Sequence, residues 1–126
     1  MNKRIEIACS AEIKDILVQA IRDHTEVAFP AGGTDCVLVA REAMLDAANA
    51  FEREFAATPG HSGYNKRLRA MVKEALRLHY QLLAADTGRD FSHECALLVD
   101  IAAGAVHGEA DLAAARVADG RDAARE

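Results

Sequence analysis

Lys66, Arg69, Lys73 and Arg77 recur at steps of three, four and four, the spacing that aligns charges along one face of a helix. With Arg67 they set five cations against one acid, Glu74, between His61 and Ala85. The local formal charge there is +4 in a chain whose net charge is −5. Such a row can neutralise the phosphates of a nucleic acid. It can equally pair with acids such as Glu42 and Asp46 in its own chain or in a second copy. Lys66, Arg67, Arg69, Lys73 and Arg77 are therefore the candidate partner-binding face. The acidic balance of the whole chain argues against a general nucleic-acid binder but leaves this local face free to meet phosphate.

A second constellation would do different chemistry. His79, His93, Glu94 and Asp100 are the residues on which a small helical enzyme or metal-binding protein would be centred. His24 and His79 fall on apolar helix faces, where an imidazole acts as a ligand or base, or simply packs with a hydrogen-bonded neighbour. His93, Asp100 and His107 share a face at intervals of seven. Each interval rises about 10 Å, too far for one helix to hold one ion with these groups. Helical metal pairs need ligands about one turn apart, and the run SHECALLVD from Ser92 to Asp100 has no such pair. Gly32-Gly33 before Thr34-Asp35 reads as a turn ahead of a helix cap, because neither GxxxxGK[ST] nor GxGxxG is present. No catalytic residue, cofactor or metal ligand set is expected, and the reading leans away from an enzyme.

Cys9, Cys36 and Cys95 are odd in number and form no CxxC pair, which predicts reduced thiols in a cytoplasmic protein. MNKRIEIACS lacks the apolar stretch of a signal peptide. The most apolar run, Cys95 to Val106, is too short for a bilayer and is interrupted by Asp100, so no membrane partner is expected.

Positioning these residues falls to a chain of 126 residues, one domain by length. Its 51% hydrophobic content and two prolines favour a packed, helix-rich fold. Period-two alternation over Lys3 to Cys9 predicts a short half-buried strand. Ser10 then caps an amphipathic helix to about His24, and Thr25 to Phe29 reads as a second short strand stopped by Pro30 and Gly32-Gly33. Thr34 or Asp35 opens a helix to Ala57, with Val37, Ala40, Met44, Ala47, Ala48, Phe51 and Phe55 facing inward. A third helix is expected over Ser62 to Asp86, with Gly88 beyond its end, Leu68, Met71, Val72, Ala75, Leu78, Leu82 and Leu83 inward, and the basic row opposite. A fourth, capped by Asp90, should run from Phe91 to Val106. Glu109 to Glu126 reads as a weak surface helix with a fraying tail.

The segment RIEIACSAEIKDILVQAI, followed after a loop by GGTDCVLVAREAMLDAA, resembles the ribbon-helix-helix family over about the first 55 residues. The resemblance implies an obligate dimer whose paired strands enter the DNA major groove. Arg4, Glu6 and Ala8 would then face the bases, and the amides near Thr34-Asp35 would approach phosphate. Two features depart from that pattern. The connection from His24 to Gly33 is long and carries Val27-Ala28-Phe29, and Glu6 would repel phosphate. Arg89 and His93 also resemble the Arg…His pair of the HEPN ribonucleases, at a shorter spacing than that family's.

The expected fold is mainly α, a helical bundle of about four main helices with a short N-terminal strand element. Residues 1–108 form a single helical domain, in which the strand–helix unit 1–33 packs with helices 34–108, and 109–126 follow as a C-terminal helix or tail. The leftover apolar positions Val18, Leu38 and Leu45, with a strand that has no evident mate, predict a homodimer. The expected function is that of a non-enzymatic regulatory or adaptor protein that binds a macromolecular partner, protein or nucleic acid. A DNA-binding regulator is one form of this.

Overall fold

The structure, a computed structural model, describes residues 3–121. Strand β1 (Arg4–Ala8) leads into α1 (Ala11–Ala28) and α2 (Asp35–Ala57). Then come β2 (His61–Asn65), a 3-10 turn at Lys66–Leu68, α3 (Arg69–Thr87), α4 (Ser92–Ala102) and α5 (Glu109–Ala118). The fold is mainly helical with a short N-terminal strand, as the hydrophobic periodicity predicts.

Caps and stops act where the chain places them. The Ser10 hydroxyl accepts from the Ile13 amide at 3.3 Å, and Thr34 accepts from the Val37 amide at 3.4 Å, each satisfying a donor at a helix start. Gly88 ends α3 in the left-handed conformation at φ 70. Helices α1 and α2 lie antiparallel, with Arg22 reaching Glu52 at 2.7 Å and Arg41 reaching Glu26 at 2.5 Å. Helix α3 packs on α1, α4 on α3, and α5 on α4. Ile13, Leu17, Met44, Phe51, Leu76, Leu98 and Ile101 close the core. Each such side chain contributes about 1.5–3 kcal/mol relative to exposure.

The strand expected at Thr25 to Phe29 is instead the last turn of α1, which runs on to Ala28. Thr25 is sealed in the core, with its hydroxyl donating to the Ile21 carbonyl at 2.7 Å, so a β-branched polar residue is satisfied within the helix. Pro30 ends the helix because the residue before a proline avoids the α region.

The helix expected from Ser62 begins only at Arg69, because residues 61–65 pair antiparallel with β1, Ile5 opposite Tyr64 and Ile7 opposite Ser62. The strand is thus not without a mate, which removes one argument for a dimer. Ser62 and Tyr64 point inward, donating to the carbonyls of Phe51 and Ala102. Gly63 lies so close to its neighbour that a Cβ there would stand 2.5 Å from the Ile5 carbonyl oxygen.

The buried side of α3 is Val72, Ala75, Leu76 and Tyr80, rotated from the expected face, so Leu82 is left outside. Helix α4 stops at Ala102 rather than Val106. Gly104 turns the chain at φ 105, and the amides of Ala103 and Ala105 both return to the Asp100 carbonyl.

Candidate functional site: a basic face beside the strand pair

Pairing β1 with β2 brings a sequence-distant lysine to the basic row. The Lys3 carbonyl accepts from the Lys66 amide at 2.7 Å, so the two residues stand side by side at the end of the ladder. Asn65 shapes the next step, its side chain accepting from the Arg67 amide at 2.9 Å, and the 3-10 turn leads directly into α3. Arg69, Lys73 and Arg77 follow at intervals of four on that helix, about 6 Å apart along its axis. Lys66 and Arg67 therefore belong to a turn rather than to the same helix. The face bends around the strand end instead of running straight.

Most charges on this face are not neutralised by the carboxylates of the described residues. Among the described residues, Lys3, Lys66, Arg67, Arg69 and Lys73 have no carboxylate at ion-pairing distance, whereas Arg77 meets Glu74 at 3.4 Å. Most other cations are engaged. Arg4 binds Glu54 and Glu6, Lys14 binds Asp15, Arg22 binds Glu52, Arg41 binds Glu26, and Arg116 and Arg121 bind Glu94. Arg53, on α2, is a further cation with no such pair among the described residues. Within the described chain no member of the row pairs with Glu42 or Asp46. Asp46 and Arg67 instead line opposite sides of a groove of about 610 Å³ between α2 and the start of α3, with Leu68 and Met71 at its apolar wall.

Arg4, expected to face DNA bases, is tied down. Its guanidinium donates to Glu54, whose carboxyl is held below its ordinary value chiefly by that hydrogen bond. On this strand the outward arginine serves the protein's own packing.

The four residues of the alternative constellation fall in different places. His79 lies half-buried between α1 and α3, its pKa lowered by burial against the opposing fields of Asp23 and Glu94. His93 sits at the start of α4, its Nδ1 2.9 Å from Asp119. Asp100 is exposed near His107, 3.9 Å away. No group of three or more His, Cys, Asp or Glu side chains among the described residues is arranged to hold a metal ion.

Glu94 is the surprise of the set, buried at the centre of a polar cluster. Tyr80 donates to it from α3 at 2.6 Å, Arg116 from α5 at 2.9 Å, and Arg121, which stacks 4.1 Å from the Phe91 ring, at 2.5 Å. Burial works to raise the Glu94 carboxyl, but these donors outweigh it and hold the pKa below its ordinary value. Asp119, equally sealed, accepts from the amides of His93 at 2.8 Å and Glu94 at 3.0 Å. Those are the donors that an N-cap side chain serves. The expected cap, Asp90, accepts from the Ser92 amide instead. The arrangement is a clasp that fastens residues 116–121 to α3 and α4. An acid on the apolar face of a helix was the signal for it, since such a group must find buried partners.

Cys9 and Cys95 are not activated thiols. Burial pushes Cys9 up to about 11 and raises Cys95, leaving both protonated near neutrality. Comparison with protein-family models, with curated proteins and with solved structures returned no match.

Proposed function

We propose that this protein is a non-enzymatic regulatory or adaptor protein that docks an anionic macromolecular partner on the face formed by Lys3, Lys66, Arg67, Arg69 and Lys73. One observation carries the reading. In an acidic chain whose arginines mostly pair internally, these five cations lie close together along the chain path, Lys3 beside Lys66 and Arg69 and Lys73 one turn apart on α3, and no carboxylate of the described residues stands at ion-pairing distance from them. Retaining charge of one sign there costs stability through self-repulsion, which a partner of opposite sign relieves. Nucleic-acid phosphate is the partner chemistry that an extended row of unpaired cations suits best.

Titration of labelled duplex DNA, single-stranded DNA and RNA by fluorescence anisotropy tests this at several salt concentrations. Affinity should fall linearly on log–log axes with added salt, by about 0.9 per phosphate neutralised. Lys73→Glu and Arg69→Glu should weaken binding and make that slope shallower by about one each. Binding that ignores both salt and charge reversal sinks the proposal.

A homodimer is part of the same reading. It is supported by the apolar side chains Val39 and Leu38 left outside at the start of α2, Val39 being 68% exposed. Sedimentation of the chain and of Val39→Asp would decide it, a monomer in both cases refuting the dimer. No helix among the described residues is long and apolar enough to cross a membrane.

A further inference from the structure

Away from the basic face, α1 and α3 enclose a groove of about 630 Å³, within the usual size of small-ligand pockets. It exists because the helices meet there through small side chains. Ala20 and Ala75, both buried, line it where larger residues would have filled the space. Leu78 and Leu83 add apolar wall, and Val27 and Leu82 extend it outward at 66% and 56% exposure. Scattered exposed apolar side chains are ordinary, but Val27 and Leu82 flank one apolar cleft and extend its surface.

The polar groups of this groove are of one kind. Asp23, His24, His79 and Asp86 line it, with no lysine or arginine among them. Asp23 and His79 are close enough for the carboxylate to act on the imidazole, yet burial prevails and keeps that ring neutral, with a lone pair to offer. The Nδ1 of His24 is sealed from solvent with no hydrogen-bond partner among the described residues. Two carboxylates beside the neutral His79 ring repel an anion and attract a cation or a hydrogen-bond donor.

We infer that the groove between α1 and α3 binds a small organic cation, with an apolar body over Ala20 and Ala75 and an ammonium or amidinium head toward Asp23 and Asp86. The site is independent of the basic face, since its charge is opposite and its occupant would be repelled there.

Amide NMR spectra of the full chain test this with three probes of one shape: naphthylmethylammonium, neutral naphthylmethanol and anionic naphthoate. The ammonium should shift amides around Ala20, His24 and His79, and bind about tenfold more tightly than the carboxylate. Asp23→Asn and Asp86→Asn, both at exposed positions, should each weaken it about three- to fivefold, as expected of partly exposed charge pairs. Ala85→Trp, on the exposed rim, should block the groove without disturbing the core. Equal affinity for the anion, no shift at these amides, or unchanged binding in Ala85→Trp overturns the inference. So does concentration dependence of the same amides without ligand, which would assign the groove to a second copy.

Discussion

Glu94→Gln removes one negative charge from the clasp while keeping its shape, and it tests whether the C-terminal segment is held by buried electrostatics. The Glu94 side chain is 4% exposed and that of Arg121 is 8%, so water screens the pair poorly; Arg116, at 17%, is screened somewhat more. Removing one partner from a buried ion pair costs about 3–5 kcal/mol, because the other charge is left uncompensated. Glutamine retains an acceptor oxygen for one donor, which places the expected loss near the lower end, about 3 kcal/mol. For a domain of this length that lowers the melting temperature by roughly 10 °C. It moves the urea midpoint by about 1–2 M. Far-UV circular dichroism during thermal and urea unfolding reads both. A cycle with Arg121→Gln should show coupling of about 2 kcal/mol, since the two changes remove one shared interaction. If Glu94→Gln unfolds within about 0.5 kcal/mol of the parent chain, the cluster is solvated and the reasoning fails.

Acid should act on the same clasp. Glu94 and Asp119 both lie below their ordinary values, despite burial, because of the donors around them. Their contribution is thus complete above the unfolded carboxylate pKa of about 4 and is lost as pH falls through the depressed folded values. Unfolding free energy measured from pH 6 downward should drop below about pH 4, and the drop should be smaller in Glu94→Gln; identical profiles would contradict the linkage. Gly63→Ala would push a Cβ to 2.5 Å from the Ile5 carbonyl oxygen and 2.7 Å from Arg4 Nε. We expect a loss of about 2 kcal/mol or more by thermal melting, and an unchanged melting temperature would refute the strand register. Thiol labelling near pH 8 followed by mass spectrometry should find Cys36, which is exposed, reacting well before Cys9, pushed up to about 11, and Cys95. Equal rates would show that burial does not protect the latter two.

Local signals made much of this fold legible. Alternation at Ile5 and Ile7 marked β1, the hydroxyls of Ser10 and Thr34 marked two helix starts, and Gly88 marked the end of α3. Misreadings came where a local pattern was ambiguous. His61 to Asn65 carries no alternation of large apolar residues, so nothing nearby announces a strand. Its identity rests on the β1 edge it meets, on the small Gly63 and on distant carbonyls for Ser62 and Tyr64. Thr25 to Phe29 has strand-favouring residues, but it continues a helix whose apolar face was already docked. Tyr80 is buried because Glu94, fourteen residues away, gives its hydroxyl a partner.

The sequence by itself determined the helical class, most element boundaries and the existence of a basic row, because period, caps and charge are written in neighbouring residues. Only the tertiary structure decided which charges remain unpaired, that Lys3 joins Lys66, and that Asp119 caps α4 through the amide of His93, 26 residues earlier. Those outcomes depend on which distant groups share a dry space or a strand edge. The energy of a charge is set by that neighbourhood, not by its place in the chain.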